Sequence, residues 1–231
     1  MARLLLFDID MTLIRAVDPG RGPGRAAIDL AFERVHGIQL ASHGVSFDGR
    51  TDRGIFTEMI ALHGVANGDA AAAFHAVTAA YLEALVETTA NIPSVVLPGV
   101  PVLLDALRST HAGVGLATGN LRRGAELKLT PHGLWETFAT GGFGDTSDDR
   151  AQLVLDGLSN LAAHLGLAPN PVDCIVIGDT PLDIAAAHAV GARALGVATG
   201  RYGIEQLLAQ GADWAVEDLS ATHDVLELLG R

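Results

Sequence analysis

The sequence has 231 residues, 49% of them hydrophobic, with a formal net charge of −12 at pH 7. That is enough chain for one large domain, or for a core with a smaller insert, and enough apolar material for a sizeable core. So acidic a chain repels nucleic acid and anionic membrane surfaces, which excludes a phosphate-backbone binder; an anionic substrate needs a metal or a local arginine cluster to reverse the sign.

In chain order, RLLLF (3–7) predicts a first buried strand, and it runs straight into two carboxylates, Asp8 and Asp10. No strand is evident from there to Pro101. Arg25 to His36, Ile55 to Leu62 and Asp69 to Glu87 read instead as helices, with DPGRGPG (18–24) and NIPSVVLPG (91–99) as flexible crossings. Helices follow at Pro101 to Arg108, Leu121 to Leu129, Ala151 to Leu165, Leu182 to Val190, Ile204 to Ala209 and near Leu219 to Leu229. Strands are predicted at VGLAT (114–118), TFATG (137–141), DCIVIG (173–178), RALGVA (193–198) and DWAV (213–216). These runs are continuously apolar rather than alternating, the pattern of strands buried on both faces of a parallel sheet. Strand–helix alternation of this kind predicts an α/β, doubly wound fold. Residues 1–15 and 94–231 are expected to form the core, and 16–93 a helical insert.

The one cysteine, Cys174, lies inside CIVIG and reads as an inert strand thiol; a chain with no internal disulfide fits a reducing cytoplasm. LLLF is too short for a signal-peptide core, and no segment reaches the roughly 18 apolar residues of a membrane helix. A cytoplasmic protein with no membrane or nucleic-acid partner is therefore expected.

Burying an ionised carboxylate is costly unless it is paired or bound to a metal. In open parallel sheets, ligands bind at the carboxyl ends of the strands. After the first strand comes Asp8-x-Asp10; after the second come Thr118, Gly119 and Asn120; after the fourth come Asp179, Thr180, Pro181 and Asp183. Each group alone reads as helix-cap chemistry. Together they bring four acids and a threonine to one edge. Clustered carboxylates need a cation, and hard oxygen ligands of this kind suit Mg²⁺, which often bridges to a phosphate.

On these motifs the chain resembles the haloacid dehalogenase-like (HAD) hydrolase superfamily, in particular its helical-cap phosphatases of the phosphoglycolate phosphatase-like type. The resemblance covers nearly the whole chain and implies a Rossmann-like core with an inserted helical cap. It implies Asp8 as nucleophile, forming an aspartyl-phosphate, and Asp10 as general acid and then base. It implies Mg²⁺ held by the Asp8 carboxylate, the Asp10 carbonyl and Asp179, with Asp183 as a further acid or water-mediated ligand. Thr118, with Gly119 and Asn120, would bind the phosphoryl oxygens. Two departures stand out. The family's usual glycine after Asp10 is Met11 here. The family's usual lysine after the third strand is missing from GDTSDDRAQL, where Arg150 stands near the expected spacing. Arginine can supply that charge and grip two oxygens. The alternative is Lys128, the only lysine of the chain. Its helix is expected to run away from the strand ends, placing it about 10 Å along from Leu121 at 1.5 Å per residue, so a solvated face competes with a catalytic role.

Asp10 argues for phosphoryl transfer over dehalogenation, and the lack of a lysine in the insert closes a Schiff-base route. The expected function is Mg²⁺-dependent hydrolysis of a small phosphorylated metabolite, phosphoglycolate-like or a sugar phosphate, by a monomer or homodimer. A sugar-phosphate mutase of the same superfamily is the alternative, and a non-catalytic phosphate-binding α/β module is the alternative of another class. FDGRTDRGIF (47–56) places Arg50 where it could hold a substrate carboxylate or second phosphate, with Asp52 as a helix N-cap.

Overall fold

In the computed structural model, the residues described are 3–18, 20–66, 68–138 and 140–230. The elements in chain order are β1 (Leu4–Phe7), β2 (Ile14–Ala16), α1 (Pro23–His36), α2 (Asp52–Leu62), α3 (Ala70–Asn91), β3 (Ser94–Val96), α4 (Val100–Arg108), β4 (Gly113–Thr118) and α5 (Arg122–Leu129). They continue with β5 (Gly141–Phe143), α6 (Arg150–His164), β6 (Cys174–Gly178), α7 (Pro181–Ala189), β7 (Arg193–Val197), α8 (Ile204–Ala209), β8 (Trp214–Val216) and α9 (Thr222–Gly230).

Six strands form one parallel sheet in the order β5-β4-β1-β6-β7-β8. LLLF is buried along its whole length because helices cover both faces. Leu5 and Phe7 face a layer containing Leu103 and Leu104 of α4, Leu129 of α5 and Val225 of α9. Leu4 and Leu6 face the other way, toward Leu158 and Leu161 of α6 and Ile184 of α7. Successive side chains of a strand point to opposite faces, so a four-residue apolar run serves two layers. Each such leucine contributes roughly 1.5–3 kcal/mol relative to exposure.

The register sets the site. Phe7 lies beside Leu116 of β4 and Ile177 of β6. Asp8, Thr118 and Asp179 therefore leave three adjacent strands at neighbouring points.

The fold differs from expectation in two places. The third core strand is Gly141–Phe143 rather than residues 137–141, because Trp135–Thr137 winds into a 3₁₀ turn and Phe138 is buried in the core. The return crossing, residues 91–99, is not a plain linker, because it contains β3. β2 and β3 pair antiparallel, Ile14 with Val96 and Ala16 with Ser94, and the Val17 N–H extends the ribbon to the Pro93 carbonyl at 3.0 Å.

Between β2 and β3, helices α1, α2 and α3 pack on one another around Phe32, Phe56, Met59, Val77, Tyr81 and Leu85. Leu121, from the loop after β4, is buried in the same cluster, so these helices lie over the carboxyl edge of the sheet.

Met11 occupies the left-handed region at φ 63°. Its N–H donates to the Ile14 carbonyl at 2.8 Å, and its carbonyl accepts from the Thr199 hydroxyl. The turn that carries the chain from β1 into β2 imposes this conformation, which glycine adopts freely and methionine only at a cost. Met11→Gly is expected to raise stability by about 1 kcal/mol, read as a higher denaturant midpoint at unchanged slope. A lower midpoint would show that packing of the Met11 side chain outweighs the backbone strain.

Candidate active site

Asp8 follows β1 directly and is buried, its N–H donating to the Ile177 carbonyl at 2.9 Å. The Thr118 hydroxyl is close enough to its carboxylate to favour the ionised form, and Arg150 Nη2 stands 3.6 Å from Oδ1. Burial first, and then the nearby Asp183 and Asp10, push Asp8 up to about 6, against the opposing pull of Arg150 and Thr118. Asp179, at the end of β6, is pushed up to about 9 by burial and by Asp183 and Asp8, with Arg150 only partly offsetting them. Asp183 lies on the first turn of α7. Its Oδ2 accepts from the Thr180 N–H at 3.0 Å and from the Thr180 hydroxyl at 2.7 Å, while Oδ1 pairs with Arg150.

Asp8, Asp179 and Asp183 each offer an oxygen, and these oxygens lie within 4.8 Å of one another. Arg150 is the cation paired to this group, through Asp8 and Asp183, and among the described residues no cation is paired to Asp179. An all-oxygen, hard-donor set short of positive charge fits Mg²⁺. Asp183 already spends its oxygens on Thr180 and Arg150, so Asp8 and Asp179 are the freer ligands.

The Asp10 carboxylate points elsewhere, so of this residue only the main chain remains as a possible ligand. Oδ2 accepts from Lys128 Nζ at 2.7 Å and from Asn120 Nδ2 at 2.8 Å. Burial alone would raise its pKa, but Lys128 and Asn120 outweigh burial and hold Asp10 below the usual carboxylate range. Of the two readings left open for Lys128, the solvated face is not the one observed: Lys128 is buried, and its ammonium also donates to Asn120 Oδ1 at 2.6 Å. Helical side chains lean back toward the helix amino terminus, so a long side chain near the end of α5 returns to the strand edge. Arg150 and Lys128 are therefore not rivals. Arg150, the first residue of α6, serves Asp8 and Asp183; Lys128 serves Asp10.

Asn120 ties the two halves together, its Nδ2 also donating to Thr118 Oγ1 at 2.9 Å. Gly119 is crossed by the loop that precedes α2: a Cβ there would collide with the Arg50 carbonyl. The Arg50 side chain is not free for a substrate anion as expected, because it pairs with Glu58. Arg122 stacks 4.9 Å from the Phe143 ring centroid and Arg123 pairs with Glu126, both outside the acid cluster.

A cavity of about 480 Å³ spans the edge of the sheet and the overlying helices. Asp8, Asp10, Lys128, Arg150 and Asp179 line its floor, and Phe47, Ile55, Phe56 and Tyr81 line its roof. Two lining residues were not marked as functional by the sequence. Arg15, on β2, has no side-chain partner among the described residues. Asp52 was read as an N-cap, but Thr51 takes that part, its Oγ1 accepting from the Gly54 N–H at 3.0 Å. The adjacent threonine is the signal that could have released Asp52 for another use.

Residues 151–222 match the family described as HAD-hydrolase-like. A phosphoglycolate phosphatase from Synechococcus elongatus is 34% identical over 122 residues, 52% of this chain and 54% of that protein. The chain thus spans about half the length of this curated relative. Among solved structures, a hydrolase from Pseudomonas syringae superposes with a TM-score of 0.71 at 21% identity, covering 99% of both chains. A β-phosphoglucomutase from Clostridium difficile superposes at 0.65 with 18% identity, covering 100% of both. The fold is that of the haloacid dehalogenase-like hydrolases, and the carboxyl-terminal part carries their sequence pattern.

The raised acids give a pH signature. Between the ordinary carboxylate pKa and their folded values, Asp179 and Asp8 hold protons that the unfolded chain has shed. Their contribution to stability is therefore present at low pH and is lost as pH rises toward about 9. Added Mg²⁺ is expected to raise the thermal midpoint clearly at pH 8 and little at pH 5, where protons compete for the same oxygens. Equal shifts at both pH values, or none at pH 8, would remove these acids as the metal ligands.

Proposed function

We propose that this chain, with its haloacid dehalogenase-like fold, is a Mg²⁺-dependent phosphomonoester hydrolase acting on a small phosphorylated metabolite through an aspartyl-phosphate at Asp8. The observation that carries this reading is the Asp8 carboxylate itself, buried at a strand end between the Thr118 hydroxyl and Arg150 and within reach of two further acids.

Asp8 attacks phosphorus, an Asp8–phosphorus bond forms, and the bond from phosphorus to the ester oxygen breaks. Asp10 gives the departing oxygen its proton, then takes one from the water that attacks the acyl phosphate; phosphate leaves and Asp8 is regenerated. Lys128 keeps Asp10 ionised while the cavity holds no phosphoryl group. An arriving phosphoryl anion competes for the Lys128 charge and raises Asp10, which lets it take up the proton it later donates. Thr118, Gly119 and Asn120 line the place where the phosphoryl oxygens come to rest. Arg150 holds Asp8 and Asp183 in position. Asp8 and Asp179, Asp183 directly or through water, and the Asp10 carbonyl would hold Mg²⁺, which would supply the positive charge that lets an anionic nucleophile approach an anionic ester. Residues 16–93 act as a cap that excludes water.

The lining of the cavity supports an anionic substrate. Although the chain carries −12, Arg15, Arg25, Arg50, Lys128, Arg150 and Arg201 face five carboxylates there. The volume, about 480 Å³, exceeds the needs of a bare phosphate and lies in the usual range for metabolite-sized ligands. The free guanidinium of Arg15 is the natural partner for a second anionic group, as in phosphoglycolate or a sugar bisphosphate. Among the described residues no helix is long and apolar enough to cross a membrane, and buried Cys174 suits a reducing cytoplasm.

The test is phosphate release from a panel of phosphomonoesters, with Mg²⁺ or with EDTA, by the wild type, Asp8→Asn and Arg15→Gln. Release is expected to need the metal and to fall at least about a thousandfold in Asp8→Asn. Arg15→Gln is expected to lower kcat/KM more for esters bearing a second anion than for neutral-tailed ones. Near-normal turnover by Asp8→Asn sinks the proposal, and isomerisation of a sugar phosphate with little phosphate released would establish the mutase instead.

A further inference from the structure

Asp52 belongs to the helices over the site, yet its hydrogen bonds go to the sheet below. It is the first residue of α2, whose own amino end is capped by Thr51. Its N–H donates to the Gly119 carbonyl at 2.8 Å, and its Oδ2 accepts from the Leu121 N–H at 2.9 Å. Leu121 is the cap residue of α5, a helix with no side-chain cap of its own. Two carboxylates therefore serve the amino end of α5, Asp145 of the core at the Arg122 N–H and Asp52 of the overlying helices at the Leu121 N–H, and α5 is the helix that carries Lys128. From α3, Tyr81 lies beside the same carboxylate, and Gly124 of α5 packs against both, its Cβ position lying 3.8 Å from Asp52 Oδ2 and from the Tyr81 ring.

The adjoining residues hold the same seam. Asp48 pairs with Arg201 at 3.4 Å, and Gly49 sits against the Thr180 hydroxyl so closely that a Cβ would collide with it. The segment Asp48–Asp52 thus touches the loops that follow β4, β6 and β7, the first bearing Thr118 and the second Asp179 and Asp183.

We propose that Asp52 is a positioning residue: with the overlying helices shut, it fixes the Thr118–Leu121 loop and the start of α5, so that Thr118, Asn120 and Lys128 reach their working geometry only then. The proposal rests on reading this loop as the phosphoryl-binding element. The hydrogen bonds demand an acceptor, not a charge. Asn keeps one oxygen able to accept from Leu121, and Ala keeps none. Misplacing the loop by a fraction of a residue affects the group common to all phosphomonoesters, so the loss falls on kcat and is independent of the ester's tail. A residue that touched the tail would change KM, and by different amounts for different esters.

The experiment compares wild type, Asp52→Ala and Asp52→Asn on three esters with unlike tails, alongside hydrogen exchange at the Leu121 amide. Asp52→Ala is expected to lower kcat about 10- to 100-fold, equally for all three, with KM little changed. Asp52→Asn is expected to recover most of the rate. Exchange at Leu121 is expected to quicken about tenfold or more in Asp52→Ala and to stay near wild type in Asp52→Asn. Losses that differ between esters, or an unchanged kcat in Asp52→Ala, overturn the proposal. If the wild type hydrolyses none of the esters, the hydrolase reading fails on its own; unchanged exchange at Leu121 would then still refute the Asp52 contact, and quickened exchange would uphold it.

Discussion

Three carboxylates share one buried edge of the sheet, and their mutual repulsion is the constraint around which the rest is built. Asp8, Asp179 and Asp183 present oxygens within 4.8 Å of one another in a region where water screens little. Breaking up such a group by removing one compensating partner is far more damaging than removing a surface charge. The neighbouring residues read as compensation. Arg150 touches two of the acids, Thr118 stands beside one, and Thr180 donates twice to another. Gly178 has no Cβ because Asp183 occupies the space one would need. Even so Asp179 stays far from its ordinary pKa, so the protein has built a place for positive charge that its own side chains do not fill.

Asp8 and Asp10 are two residues apart yet sit in opposite electrostatic settings. Asp8 is pushed up by burial and by like charge, and Asp10 is held down by Lys128. Two carboxylates whose environments drive their pKa values apart are suited to two roles, one accepting a covalent bond and the other moving a proton. Arg150 and Lys128 flank the pair from α6 and α5, helices that follow different strands. The overlying helices then close the space with an apolar roof, and their loop from Asp48 to Asp52 reaches the core loops after β4 and β6.

Much of this was legible in the sequence, for a definite reason. In a parallel sheet a buried strand is a run of apolar residues that ends abruptly, and the residues after it lie at the ligand-binding edge, so LLLF, VGLAT and CIVIG located Asp8, Thr118 and Asp179 without any knowledge of contacts. What failed depended on tertiary placement. Gly141–Phe143 contains two glycines and gave no apolar run. The three-residue β2 and β3 are recognisable only through each other. The choice between Arg150 and Lys128 stayed open because rise along a helix axis says nothing of the direction in which a long side chain lies. Asp52 looked like an ordinary helix cap until Thr51 was seen to fill that place, and Arg50, exposed in principle to substrate, has Glu58 eight residues on, a spacing that no helical periodicity flags. Met11 holds the left-handed turn that a glycine would adopt more freely.

The most direct test of the whole account is to look for the covalent bond it requires. Acid-quenching the protein during turnover of a hydrolysed phosphomonoester with Mg²⁺, followed by peptide mass spectrometry, is expected to find a phosphoryl group on Asp8 and none in Asp8→Asn. Phosphate release with Asp8 unmodified throughout, or with the phosphoryl group on another side chain, would contradict it.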